Sequence, residues 1–396
     1  MMQISPEIQL FIREHSSDDV RVLALQAKKY PDIDMPTVIT QIAGRKVAAE
    51  KIPSWWEIEK IWYPKHLSLE QCSSEITARY KARLLQGDSL TDLTGGFGID
   101  CSFLATGFKS ATYVERQEEL CEIAAHNFPV LNLNHINIKN EDGVTYLQAM
   151  SPVDCLFLDP ARRNEHGGKT VAISDCEPNV AELEELLLQK ANRVMIKLSP
   201  MIDLSLALKE LKQTQEVHIL SVNNECKELL ILLGQTSPAE ISIHCVNLFT
   251  KGTQKEQHFV FTREQEQCSE CTYTDSLETY LYEPNASLLK AGAFRSIAAA
   301  YPVRKLHPNS HLYTSDTFIE NFPGRIFRIV NQCSFNKKEV KENLADLKKA
   351  NVTVRNFPAT VAELRKRIHL AEGGDTYLFA STLNNGQKVL IRCEKV

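Results

Sequence analysis

No apolar stretch in the 396-residue chain approaches the roughly 18 residues that a membrane-spanning helix needs, which argues against a membrane role. The first ten residues, Met1 to Leu10, have neither a basic start nor an apolar run of roughly 7–15 residues ending in small side chains. No export signal is therefore expected, and the cytoplasm is the expected location. A disulfide framework is missing too. The eleven cysteines are odd in number and scattered from Cys72 to Cys393, the pattern of reduced thiols. Cys268 and Cys271 have the spacing of metal ligands, and His307 and His311 lie four apart. The gap between Cys271 and His307 is nevertheless far longer than the roughly 12–15 residues of a zinc finger, so the pair reads as two loop thiols and no metal is expected. There is no internal repeat and no low-complexity linker, and the 16 glycines and 16 prolines are unexceptional.

What is present is length and an uneven charge. A single core rarely grows beyond about 250 residues, so two or three domains are expected. The net charge is −5, yet the segment from Leu281 to Val396 carries 18 Lys and Arg against 10 Asp and Glu, leaving −13 for the rest. A basic end suits a phosphate-rich partner, and it suits a solvated surface nearly as well.

Residues 1 to about 85 have the three- and four-residue apolar spacing of helices, including one expected to begin at Ser68 and run through "SLEQCSSEITARYKARLL". Trp55, Trp56 and the stretch Ile61-Trp62-Tyr63-Pro64 between them read as core closure. From Ser89 the pattern becomes short apolar strands alternating with helices, which predicts strand-helix-strand units. Strands are expected at 90–93, 111–115, 136–139, 154–158, 193–198 and 216–221. Only "VNNECKE" separates the sixth from the apolar run Leu229-Leu233. That is too short for a crossover helix, so the last two strands should form an antiparallel hairpin. Beyond Gln235, "ISIHCVNLF", "QHFVFTR", a helix from about Pro284 to Ala300 and "FPGRIFRIV" suggest a small α+β domain. A final unit follows from about Phe327: the helix "NKKEVKENLADLKKA", the strand "VTVRNF", the helix "TVAELRKRI", a turn at Gly373-Gly374, and two strands joined at Asn384-Asn385-Gly386.

A strand ending in Asp92 runs into the turn Thr94-Gly95-Gly96-Phe97-Gly98, where glycine lets a backbone approach a ligand closely. Dinucleotide sites and plain tight turns share that feature. The position where a dinucleotide fingerprint wants its third glycine is Cys101. The next strand ends in Glu115, placed to accept hydrogen bonds from both hydroxyls of a ribose. Asp142, followed by Gly143, ends the third strand and could accept from an adenine amino group or simply cap a helix.

The order of "DLTGGFG", "YVER", "EDG" and "LFLDPARR" resembles the motif series of class I S-adenosylmethionine-dependent methyltransferases. More closely, "LEQCSSEITARYKA", "DPARR", "EPNASLLKAGAF", "KLHPNSHLYTSD", "FPGR" and "VRNFPATVAELRKRI" resemble bacterial methyltransferases with a ferredoxin-like domain and a carboxy-terminal THUMP-like domain. The resemblance implies an α/β Rossmann-like sheet of seven strands, the last antiparallel, with an N-terminal helical region and C-terminal α+β domains. It divides the chain at 1–88, 89–235, 236–325 and 326–396. S-adenosylmethionine is the implied cofactor, held by Asp92, Thr94, Gly95, Gly96, Gly98, Glu115 and Asp142. Gln71, Ser73, Ser74 and Thr77 fall in the segment that would fold over it.

The fourth strand ends in Asp159-Pro160-Ala161-Arg162-Arg163. Methyltransferases acting on amino groups of bases have there an acid or asparagine, two prolines and an aromatic. Ala161 and Arg162 depart from that pattern, which puts adenine-N6 chemistry in doubt. Asp159 is expected to orient an amino nucleophile or take its proton, with Pro160 and Arg162 at the reacting end and Arg162 and Arg163 holding substrate; a solvated loop with a capping acid is the alternative. RNA, tRNA or rRNA, is the expected acceptor, from the THUMP-like resemblance, the basic residues Arg355 and Arg365-Lys366-Arg367, and Phe357 as a stacking platform. A small molecule or a protein as acceptor, or a module that binds the cofactor without transferring, remain open readings. The oligomeric state is not legible.

Overall fold

The computed structural model describes residues 4–162, 172–236 and 238–396. Two compact units divide the chain, one comprising Met1–Glu216 and Glu228–Pro238, the other Val217–Lys227 and Ala239–Val396. No helix among the described residues is long and apolar enough to cross a membrane.

The first unit opens with helices α1 (Pro6–Glu14), α2 (Val20–Leu25), α3 (Met35–Lys51), α4 (Pro53–Trp56), α5 (His66–Gln71) and α6 (Glu75–Ala82). Ser5, Asp19 and Asp34 cap α1, α2 and α3 by accepting backbone N–H bonds, as short polar side chains do before an apolar run. The single helix expected from Ser68 is two. Cys72 and Ser74 are extended, and the break falls between them. Serine hydroxyls compete with helical hydrogen bonding, and here the Ser73 Oγ finds side-chain partners instead, donating to Asp100 at 2.7 Å. These helices are part of a shared core. Trp55, Tyr63 and Leu69 pack with Phe97, Phe103 and Ile123, and the Trp55 and Phe97 rings meet edge to face at 5.1 Å.

Next come β1 (Ser89–Asp92), α7 (Ile99–Ala105), β2 (Ser110–Glu115), α8 (Glu118–Val130), β3 (Ile136–Asn140), α9 (Gly143–Ala149) and β4 (Val153–Leu158). A two-stranded antiparallel pair, β5 (Ala161–Arg162) and β6 (Cys176–Glu177), precedes α10 (Val180–Lys190), β7 (Ala191–Leu198), α11 (Leu204–Glu210), β8 (Thr214–Val222) and β9 (Glu225–Gly234). Strands β3, β2, β1, β4 and β7 are parallel neighbours, and β9 pairs antiparallel with β7. This is the expected class I arrangement, with the antiparallel strand inserted beside β7. β10 (Ser242–Leu248) and β11 (Glu256–Thr262), read from the sequence as part of a small α+β domain, pair antiparallel with each other.

The second unit continues with α12 (Arg263–Cys268), β12 (Tyr280–Pro284), α13 (Ala286–Ala291), α14 (Ser296–Ala300), β13 (Arg304–Lys305), β14 (Tyr313–Ser315), β15 (Gly324–Ser334), α15 (Lys337–Leu344), β16 (Lys349–Val354), α16 (Val361–Ile368), β17 (Ala371–Thr382) and β18 (Lys388–Lys395). Seven of its strands form one sheet in the order β13-β14-β12-β15-β18-β17-β16. The helix expected over 284–300 is capped by Asn285, but Gly292 ends it in the left-handed conformation at φ 77° and a second short helix follows. The helix expected to reach Ala350 stops at Leu344, because Lys349 and Ala350 already pair with Ala371 and Glu372 in the sheet.

Candidate active site

Three neighbouring strand tips of the first unit meet at the glycine turn. The Asp92 carboxylate at the end of β1 is fully buried; Oδ1 accepts the Thr94 N–H at 3.0 Å, while Oδ2 has no partner among the described residues. Glu115, at the end of β2, accepts the Gly96 N–H at 2.9 Å and the Gln117 N–H at 2.8 Å. At the β4 tip the Asp159 N–H donates to Thr94 Oγ1 at 2.6 Å, so one short bond ties the glycine turn to that tip. Gly98 enters α7 at φ 85°, a region that other residues rarely adopt. Asp142 is exposed, and its Oδ1 accepts from Val144 N and Thr145 N, both at 3.0 Å, so this oxygen caps α9.

Gly143 shows how closely the tips approach. A Cβ there would lie 2.2 Å from the Leu93 carbonyl oxygen, a backbone atom that cannot swing aside. Gly143→Ala is expected to push α9 off the end of β1 and to destabilise the unit by about 1–3 kcal/mol, the usual range for overpacking. Thermal unfolding would register this as a drop of several degrees; an unchanged midpoint would count against the geometry.

A chain of buried charges lies beside Asp159, and the sequence reading missed most of it. Lys81, on α6, is 0% exposed, and its Nζ meets Glu228 Oε2 at 2.6 Å, Asp100 Oδ1 at 2.9 Å and Ser73 Oγ at 2.7 Å. Lys197, at the β7 tip, has a side chain 10% exposed; it bonds Asp159 directly and lies 3.5 Å from Asp100 Oδ2. Order along the chain is thus Lys81, Asp100, Lys197, Asp159, with signs alternating. A signal for it was available. A strand buried on both faces should read as a continuous apolar run, and Lys197 interrupts "VMIKLSP" just as Glu228 precedes "LLILL".

Burial favours the neutral form of each acid and the ions answer it unequally. Burial drives Asp92 far above the usual carboxylate range, and the neighbouring acids Asp100, Asp159 and Glu115 add to it. Burial also raises Asp159, with Lys197 opposing. Asp100 goes the other way: burial pushes it up, but Lys81 and Lys197 outweigh that and hold its carboxyl below the ordinary value. Lys197 is pulled down by burial and, more strongly, held cationic by Asp159, Asp100 and Glu228.

The remaining residues read from the sequence fall as follows. Pro160 is buried, and Arg162 closes β5 opposite Cys176. Arg163 lies outside the described residues. Ser73 joins the charge chain, the Ser74 and Thr77 hydroxyls lie 3.2 Å apart, and Gln71 is exposed at the end of α5. In the second unit, Arg355 is bonded by the buried Glu283 at 3.0 Å, and Phe357 packs edge to face on Phe335 at 4.9 Å within a core cluster. Both are therefore occupied by the fold. Lys366 and Arg367 are exposed on α16, where the Arg367 guanidinium covers the Phe335 ring at 4.0 Å.

The group implied by the glycine turn can be tested against these residues. An unpartnered buried Asp92 oxygen, a carboxylate at the tip of β2 and a left-handed glycine at the start of α7 together fit an adenosyl amino acid. Family comparison agrees on the kind of protein. Residues 280–323 match a ferredoxin-like domain family and residues 324–395 a THUMP domain-like family. A solved structure from Porphyromonas gingivalis W83, described as a "putative methyltransferase", is 35% identical, with 98% of each chain covered and a TM-score of 0.87. An rRNA methylase from Streptococcus thermophilus is 15% identical over 40% of this chain and 93% of its own, with a TM-score of 0.30. None of the curated proteins matches.

Proposed function

We propose, from the premise that this chain belongs to the bacterial class I methyltransferase family with a ferredoxin-like and a THUMP-like domain, the family of the Porphyromonas gingivalis protein, that it methylates RNA at the tip of β4. The observation that supports the reading most is the bond from Asp159 N–H to Thr94 Oγ1, which ties the β4 tip to the glycine turn. S-adenosylmethionine, when bound there, supplies a methyl group activated on a sulfonium. Asp92, Glu115 and the turn from Thr94 to Gly98 would hold it. The protein's own part is alignment: fixing the acceptor atom beside that turn and taking up the proton it loses. Methyl transfer needs no metal.

The THUMP-like match and the basic carboxy-terminal segment support RNA as acceptor. If phosphates carry the affinity, binding of total tRNA or rRNA should fall steeply between low and moderate salt, with log K linear in log salt. No binding at low salt would favour a small-molecule acceptor. The deciding experiment compares the modified nucleosides of tRNA and rRNA from cells with and without the gene. One methylated nucleoside should disappear; an unchanged profile would remove the RNA reading.

A further inference from the structure

The Asp159 carboxylate does not stand alone at the β4 tip. Its Oδ2 is bonded by the Lys197 ammonium, which Asp100 also flanks at 3.5 Å, with Lys81 and Glu228 behind. This matters for the atom being methylated, because donors and acceptors must match. An exocyclic base amine presents N–H donors, and its lone pair is drawn into the ring. A carboxylate suits it; an ammonium, with three donors and no acceptor, does not. A hydroxyl has one of each. It can donate to Asp159 and accept from Lys197 at the same moment.

We propose that the acceptor is a hydroxyl oxygen, in RNA the 2′-hydroxyl of a ribose, and that Lys197 and Asp159 are the catalytic pair that engages it. This rests on the RNA methylation reading above. The hydroxyl oxygen forms the new bond to the methyl carbon. Its O–H bond breaks and the proton passes to the Asp159 carboxylate, while the carbon–sulfur bond breaks with its electron pair remaining on sulfur. Lys197 donates to the oxygen as negative charge develops there, an interaction stronger in the transition state than before it.

The surroundings favour that role for Lys197. Three carboxylates, Asp159, Asp100 and Glu228, hold its ammonium in the charged form despite burial. Lys81 shares Asp100 and Glu228 with Lys197, so the cluster holds two cations against three carboxylates and the Lys197 ammonium is fixed in place from several sides. Lys81, Asp100 and Glu228 are positioning residues. The Asp159 side chain stays 36% exposed, leaving an approach for substrate, whereas that of Lys197 is 10% exposed. Ala161 and Arg162, which depart from the motif of amino-group methylation, are consistent with a different acceptor atom.

The test uses the full-length protein, total tRNA and rRNA from a strain lacking the gene, and methyl-labelled S-adenosylmethionine. After alkaline hydrolysis, a 2′-O-methyl group blocks cleavage and label should appear in alkali-stable dinucleotides. Label in mononucleotides, on a base, would overturn the hydroxyl assignment while leaving RNA methylation intact. No label in any RNA would remove the RNA reading and this inference together. For Lys197, Lys197→Met is expected to lower transfer by about 10²- to 10³-fold, with S-adenosylhomocysteine affinity by calorimetry changed less than about threefold. Its rate should climb with pH as free hydroxide takes over, and Lys197→Arg, which keeps the cation, should recover part of the loss with a flatter profile. A Lys197→Met protein that transfers at the wild-type rate would overturn the role of Lys197. So would a Lys197→Arg protein that binds S-adenosylhomocysteine normally yet is no more active than Lys197→Met.

Discussion

Lys81→Met is expected to cost the first unit about 3–5 kcal/mol, because it removes one partner of a buried ion cluster and leaves the others charged. Lys81 is 0% exposed; its ammonium is bonded to Glu228 and Ser73 at 2.6 and 2.7 Å and paired with the Asp100 carboxylate at 2.9 Å. Methionine keeps most of the length and none of the charge. Glu228 and Asp100 would then face each other's field in a site where water cannot screen them. Urea unfolding followed through Trp55, which packs in the same core, would measure the loss. A change below about 1 kcal/mol would mean that water already reaches the cluster. Glu228→Gln in the Lys81→Met background should recover part of the stability, and the double-mutant cycle isolates the pair. Acid should act on the wild type in the same sense. Lys81 and Lys197 hold the folded Asp100 carboxyl below the ordinary aspartate value, so its stabilisation is present above that ordinary value and is lost as pH falls through the folded one. In Lys81→Met the Asp100 carboxyl rises, and acid unfolding should begin at a higher pH.

How much of this was legible in the chain depends on how local the cause is. Strands β1, β2, β4 and β7 lie where the apolar runs put them, because a strand buried on both faces leaves an apolar run that needs no partner to be seen, and β3, largely exposed at the sheet edge, lies where its spacing in the strand-helix alternation put it. Asp92, Glu115 and Asp159 at their tips follow from the same reading. The Lys81–Glu228 bond spans 147 positions, and nothing near either residue announces the other. The helix from Ser68 failed for a related reason: its break at Cys72 to Ser74 serves Asp100 and Lys81, which are remote in sequence. β10 and β11 fall on the segments "ISIHCVNLF" and "QHFVFTR", whose apolar residues mark them, and they pair with each other. Arg355 and Phe357 were read as surface because Arg and Phe near a basic segment suit nucleic acid; a buried Glu283 and the Phe335 ring had prior use for them.

Asp159→Ala should abolish methyl transfer, a loss of about 10³-fold or more, while leaving cofactor binding within a few fold. The two effects separate because the residue meets the turn through its backbone and, in the proposed reaction, would meet the acceptor through its side chain. Its backbone N–H makes the bond to Thr94 Oγ1, and alanine keeps that N–H. Its carboxylate bonds Lys197, and alanine removes it. Stability should fall less than in Lys81→Met, since Lys197 retains Asp100 at 3.5 Å and the Asp159 side chain was 36% exposed. Asp159→Asn refines the result. The amide still accepts one hydrogen bond but cannot take a proton, so it should be nearly as inactive as alanine if proton uptake is the function of the carboxylate. Recovery of most activity in the asparagine protein would instead assign Asp159 to orientation alone, and retained activity in the alanine protein would remove Asp159 from the reaction. Single-turnover transfer with saturating S-adenosylmethionine, alongside calorimetric binding of S-adenosylhomocysteine, distinguishes these outcomes in one set of variants.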